Sequence, residues 1–392
     1  MLGGRRVNNN IYCGPHNRGF SPLAAAIGAQ LKAINALLAV RPDHADAAKP
    51  HRYVSPEGEQ LIIFDGKVTS EPPRDLQNRD SHHIRLMLGG ADGLKAITYI
   101  ALTFFAHYFQ AHARMPGLQP VKDFVLGIGE NEFIWWESTN THPPIGQNPF
   151  AFGHTIAVMT SASTGQAIAF ISLFGSLNFG VMLGELEGLS DQTVVTFINP
   201  LAEKAPGDIE VIKHGSSLLT LRKPDPMHTH LARSISEGTG QRSLQALTNK
   251  IEEWTFAKEM QPVLERLNAL RGLQKPNRKD EITAVVHEQL RRVYRLMRYL
   301  VDEFARTPGD AMRNRLIQIL ADMLRINPPP APTFNEAGDL AMGITLGVFV
   351  NTIDEKLDLA ELDMDYLWAL FSGDHGLEIA GRIVFEVAAK QL

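Results

Sequence analysis

Cysteine is almost absent from this 392-residue chain: Cys13 is the only one. No disulfide can form within it, and the composition suits a reducing, cytoplasmic setting. Charge of one sign is lacking too. Lysine and arginine number 38 against 43 aspartate and glutamate, a net charge of -5. Without an overall basic field, any contact with nucleic acid must come from a local patch. The chain has no Gly-rich phosphate loop, no nucleophile elbow and no Ser-His-Asp order, so the usual marks of nucleotide hydrolysis and serine acyl transfer are missing. No basic-then-apolar leader opens the sequence, so secretion is not expected.

Long apolar runs are also scarce. Ala167 to Gly184 reads AIAFISLFGSLNFGVMLG, 18 residues without a charge, near the length of a membrane span. Its middle, Gly175-Ser176-Leu177-Asn178, is a turn signal with aromatic and β-branched residues on both sides. Two buried strands joined in a hairpin account for it, and no membrane partner is expected.

At this length two or three domains are expected. Leu23 to Val40 repeats apolar residues at helical spacing, with Ser21 as a cap, Pro22 at the first helical position and Arg41-Pro42 as the stop. Leu61 to Gly66 is a short strand entering a turn. Pro72-Pro73 and the polar run to Asp80 form a linker.

Ala91 to Ala113 is a second strong helix, ended by Met115-Pro116-Gly117. A short element at Val121–Gly127 and a strand at Phe133–Trp136 follow. Strand signals then recur at His154–Met159, Ala167–Leu173, Phe179–Leu183 and Thr193–Ile198, predicting a small antiparallel meander with the Ala91 helix on one face.

After about Gly238 the pattern turns helical. Val286, Leu290, Val293, Met297, Leu300 and Phe304 form an apolar seam within Ile282–Arg306. Further helices are expected at Ala311–Ile326, from about Ala337, and at Leu359–Phe371 and Leu377–Leu392. The expected fold class is α+β, divided as residues 1–70, 81–222 and 240–392, the last an all-α domain.

The chemistry concentrates in the first twenty residues. Cys13 and His16 are three apart, a spacing that lets both face one metal ion. The corner is half of a metal knuckle, with His44, His51, His82 and His83 as available partners. It is equally the pattern of a buried cysteine beside a turn histidine. Arg5, Arg6 and Arg18 flank it as phosphate-binding candidates. Arg291, Arg295 and Arg298 share a helix face but read as a solvated one, as do Glu252-Glu253 and Asp354-Glu355. His228-Thr229-His230 follows a proline-rich loop and reads as exposed.

Leu2-Gly3-Gly4, a spacer, Tyr12-Cys13-Gly14-Pro15-His16-Asn17, Gly19-Phe20 and then a helix together resemble the second half of the HNH endonuclease motif. The similar branch carries Cys-x-x-Cys-Asn at this point, so His16 stands where a cysteine is common. The Ala91–Ala113 helix, the sheet opening at His154-Thr155-Ile156 and the stretch Phe170–Gly175 resemble the same group, to about Pro200. The C-terminal helices resemble no named family.

The resemblance implies a ββα-metal finger that hydrolyses DNA phosphodiesters. A strand-end histidine serves as general base, and a divalent metal, magnesium or similar, stabilises the developing charge. Zinc would suit the Cys13–His16 corner, and Asn17 would pin the loop. The family's first histidine and first cysteine pair would fall before Met1. The helix carries only Gln30 and Asn35 as third motif residues. The expectation is therefore an N-terminally truncated finger lacking its base. The alternative is a decayed finger acting as a non-catalytic nucleic-acid-binding or protein-interaction module.

Overall fold

The computed structural model describes residues 19–41, 47–55, 58–70, 90–130, 133–136, 146–201, 208–214, 239–289 and 334–371. Helices and antiparallel sheets combine into an α+β fold. The chain divides into two compact units, Met1–Glu253 and Trp254–Leu392.

The first unit opens with α1 (Ser21–Gln30) and α2 (Lys32–Leu37). The single helix expected over Leu23–Val40 is broken at Leu31, whose buried side chain anchors the bend. The cap also differs from expectation. Phe20 occupies the N-cap without a side-chain hydrogen bond, and Pro22 sits within the first turn, where its missing N–H costs nothing.

The hairpin β1 (His51–Val54), β2 (Gln60–Phe64) and β3 (Lys67–Ser70) follows as a three-stranded antiparallel sheet. Its Asp65-Gly66 turn has positive φ at both residues, the type I′ geometry that Asp-Gly favours. The turn's N–H groups donate to the Ala36 and Leu37 carbonyls at 2.9 and 2.7 Å, satisfying the end of α2.

The centre of the unit is α3 (Gly90–Tyr108), in which every residue from Ala96 to Phe105 is buried. A helix apolar on all sides must be covered on all sides. On one side it packs against α1. On another it crosses β5 (His154–Thr160), β6 (Gln166–Leu173) and β7 (Leu177–Glu185). It ends at Tyr108, earlier than the expected Ala113, and residues 109–114 form turns that lead to α4 (Gln119–Leu126). Asp123 and Phe124 carbonyls accept from the backbone beyond α4, where Gly127 takes the left-handed C-cap conformation.

The large sheet has six strands in the order β4-β7-β6-β5-β8-β9, with β4 (Ile134–Trp136), β8 (Gln192–Ile198) and β9 (Asp208–His214). Every pair is antiparallel. The expected simple meander holds only for β5-β6-β7, because β8 returns to lie beside β5. The uncharged run at 167–184 is the β6–β7 hairpin, with no exposed residue until its last strand positions apart from Gly175.

Its turn is Leu173-Phe174-Gly175-Ser176, closed by Ser176 N–H to the Leu173 carbonyl at 3.1 Å. Both central residues have positive φ, unusual for Phe174. One sheet face carries Ile156, Ile171, Phe179 and Thr196 in cross-strand register. This face meets α3, and the Tyr108 hydroxyl hydrogen-bonds Thr196 Oγ1 at 2.8 Å. The other face buries Ala157, Met159, Ile168, Phe170, Met182, Val195 and Phe197, with Phe133, Trp135 and Phe150 against it.

Trp135 lies across Gly180, its partner on β7; a Cβ there would clash with the indole's Cε2 and Cζ2. Gly180→Ala must therefore displace the ring, at an expected cost of about 1–3 kcal/mol. The readout is tryptophan fluorescence: emission should shift to the red as the indole leaves its cover. An unshifted spectrum with unchanged stability would contradict this packing.

The second unit is helical. It contains the rest of α5 (Thr239–Ala269), α6 (Lys275–Glu288), α7 (Phe334–Leu359) and α8 (Met364–Phe371). Helix α6 starts earlier than the expected Ile282, since Pro276 fits a first turn. Residues 360–363 separate α7 from α8, where one segment over Leu359–Phe371 was expected. The core joins Met260, Leu267, Ile282, Val286, Phe349, Ile353, Leu357 and Leu367. Asn268 clamps Leu362 with both amide atoms, donating to its carbonyl at 2.9 Å and accepting from its N–H at 2.8 Å.

Asp354 corrects the sequence expectation of a solvated position: it is 2% exposed. Val350, Ile353, Asp354 and Leu357 fall at i, i+3, i+4 and i+7, so the carboxylate shares the inward stripe. The seam from Leu290 to Phe304 and the segments Ala311–Ile326 and Leu377–Leu392 lie outside the described residues, as does the 72–80 linker.

Candidate functional site

The proposed finger residues Cys13, His16 and Asn17, and the arginines Arg5, Arg6 and Arg18, lie outside the described residues. So do His44, His82, His83, His228, His230 and the arginines at 291, 295 and 298. Description begins at Gly19-Phe20, where the motif's last residues lead into α1. Among the described residues no group of three or more His, Cys, Asp or Glu is placed to hold a metal ion. His51 is on β1 beside Tyr53, and burial together with Lys32 lowers its pKa.

Phe20 is nonetheless informative. Its ring packs on Tyr99 of α3 with centroids 4.8 Å apart, tying the end of the motif to the central helix. Both residues line a cavity of about 650 Å³. Leu102, Phe105 and Ala106 of α3 form one wall, and Leu118 with Val125 and Leu126 of α4 forms the other. The turns after α3 close one end with Gln110, Ala113 and Arg114.

Lys122 enters from α4, and its Nζ donates to the Ala113 carbonyl at 2.9 Å. Burial lowers the Lys122 pKa, since a desolvated ammonium is costly. Among the described residues the lining holds two cations and no carboxylate. Sequence reading passed over these residues because an exposed Arg114 and a helix lysine have no distinctive local pattern.

A second polar region lies at one end of the sheet. His154 is 2% exposed and opens β5. Its Nδ1 accepts the Phe174 N–H at 3.0 Å, and its ring meets the Phe174 ring edge-on at 4.6 Å. Full burial lowers the His154 pKa to about 3, so the imidazole is neutral. An Nδ1 that accepts fixes the tautomer with its proton on Nε2. This histidine holds a strained hairpin turn, and a supporting role explains both of these contacts.

On the opposite face, Thr155, Ser172 and Asn178 form a cross-strand row. Asn148 donates to Thr155 Oγ1 at 2.9 Å and to the His154 carbonyl at 3.0 Å. Asn178 is fully buried, and neither amide atom has a hydrogen-bond partner among the described residues. Groups of this kind in native proteins are commonly met by buried water.

Comparison with known proteins gives no match: no family model, no curated protein and no solved structure corresponds to the chain. No described helix is long and apolar enough to cross a membrane.

Proposed function

We propose that the chain is an HNH endonuclease-like protein of the cytoplasm, whose family chemistry is metal-dependent hydrolysis of DNA phosphodiesters. The observation that carries this reading is the order Leu2-Gly3-Gly4, Cys13-x-x-His16-Asn17 and Gly19-Phe20 before a helix. The start of α1 at Ser21 supports it, because a finger's second strand runs directly into its helix. Cys13 and His16 would contribute to a zinc site, Asn17 would hold the loop, and Arg5, Arg6 and Arg18 would contact phosphates. A magnesium-like ion would supply charge stabilisation at the scissile phosphate.

Of the family's catalytic roles, only that of Asn17 is matched directly in this sequence. That favours DNA binding without efficient cleavage, and it gives weight to a second reading as a non-catalytic nucleic-acid or protein-interaction module. The expected results are about one zinc per chain, lost in Cys13→Ser, and an uncut plasmid in magnesium buffer. Fluorescence anisotropy with a short duplex should show binding that weakens with salt. Replacing Arg5, Arg6 and Arg18 by alanine should flatten the salt slope by about three. Plasmid cleavage that Asn17→Ala abolishes would mean an active nuclease. A chain that takes neither zinc nor DNA would remove the family reading.

A further inference from the structure

We propose that the cavity between α3 and α4 binds a small amphipathic carboxylate of the fatty-acid class. Its hydrocarbon would lie on Leu102, Phe105, Leu118 and Val125, and its carboxylate would meet Lys122 and Arg114. Three observations converge. The volume of about 650 Å³ is within the usual range for small-molecule sites. Most of the described side chains that line it are aliphatic or aromatic, with Gln110, Arg114, Lys122 and backbone polar groups beside them, a mixed surface suited to a ligand with an apolar body and a charged head.

Both described cations belong to the lining, Lys122 from α4 and Arg114 from the turns after α3. Lys122 Nζ reaches the carbonyl of Ala113, the residue next to Arg114. The lysine spends one N–H on that carbonyl and has two left, with no carboxylate among the described lining residues to receive them. A half-buried ammonium in this position gains most from an anion that arrives with its own apolar body. The ligand's charge would also oppose the lowering of the lysine's pKa by burial.

The probe is dodecanoate, titrated calorimetrically into the full chain below its micelle concentration, with dodecanol as the uncharged control. Saturable binding of one dodecanoate per chain is expected, with dodecanol markedly weaker. Lys122→Gln keeps a donor for the Ala113 carbonyl but removes the charge, and should weaken dodecanoate about tenfold. Ala106→Phe should abolish binding by filling the cavity. Should that variant melt early, Lys122→Gln decides alone.

Absence of saturable binding, dodecanol binding as tightly as dodecanoate, or unchanged affinity in Lys122→Gln would each overturn the proposal. The site is independent of the nuclease-like reading, so Cys13→Ser should bind dodecanoate like the parent chain. A failed zinc or DNA assay would leave this result standing.

Discussion

Asp354→Ala should destabilise the C-terminal helical unit by about 3 kcal/mol, because it strands a buried guanidinium. Arg278 is 3% exposed, and its Nε donates to Asp354 Oδ1 at 2.6 Å. Its Nη2 reaches Asp358 Oδ1 at 2.6 Å, and Lys275 Nζ meets the other Asp358 oxygen at 2.7 Å. The pairs join α6 to α7 beside the apolar core that the two helices share. Arg278→Met with Asp354→Leu should recover most of the loss, since two apolar groups of similar volume need no mutual charge.

Hydrogen exchange of α6 and α7 amides in the full chain measures both effects. Equal protection in parent and Asp354→Ala would refute the role of the pair. The partly exposed Asp358 should matter less. Its pKa is lowered by hydrogen bonds from Lys275 and Arg278, and that of Lys275 is raised by Asp358. The stability these groups add is fully present above the unfolded Asp358 value of 3.8 and below the unfolded Lys275 value of 10.5. It is lost outside that window, as Asp358 protonates or Lys275 deprotonates.

The second large effect concerns His154 and acid. In the unfolded chain this imidazole takes a proton near pH 6.5, but in the fold it resists one until about pH 3. Between those values the unfolded state binds more protons, so stability should fall with pH at up to about 1.4 kcal/mol per unit. His154→Asn should flatten that slope, because an amide oxygen can still accept the Phe174 N–H but does not titrate. Urea titrations from pH 7 to pH 4, followed through exchange of β5 to β8 amides, test this. The same slope in both proteins would show that His154 is not the group responsible.

What could be read from the sequence follows the range of the forces concerned. Strand positions β5 to β8 and the hairpin within the uncharged run were legible, because short β-branched and aromatic runs bounded by Gly, Ser and Asn, and the Gly175 turn, are local signals. The Asp65-Gly66 turn was legible for the same reason. The pairing of β8 with β5 was not, since several strands here are buried on both faces and so carry no alternation to specify a neighbour.

The break at Leu31 was hidden because its cause is burial and not a Gly or Pro. Asp354 was misread as solvated although its spacing from Val350 and Leu357 already placed it inward; charge outweighed position in that reading. Strand β9 was missed altogether, its Asp, Glu and Lys content masking a strand that gains its bonds from β8. The cavity cations were invisible because the walls come from separate segments. The resemblance to a finger motif, by contrast, rests on residues outside those described and is read from sequence alone.

The strand order also carries a message about assembly. The β6–β7 hairpin joins neighbours across a tight turn, whereas β8 must find β5 by looping around that finished hairpin, pairing His154 with Ile198. Closing the longer loop costs more chain entropy before any bond repays it. The hairpin is therefore the seed of this sheet, and substitutions at the Phe174-Gly175 turn should slow refolding, whereas those in β8 should chiefly hasten unfolding.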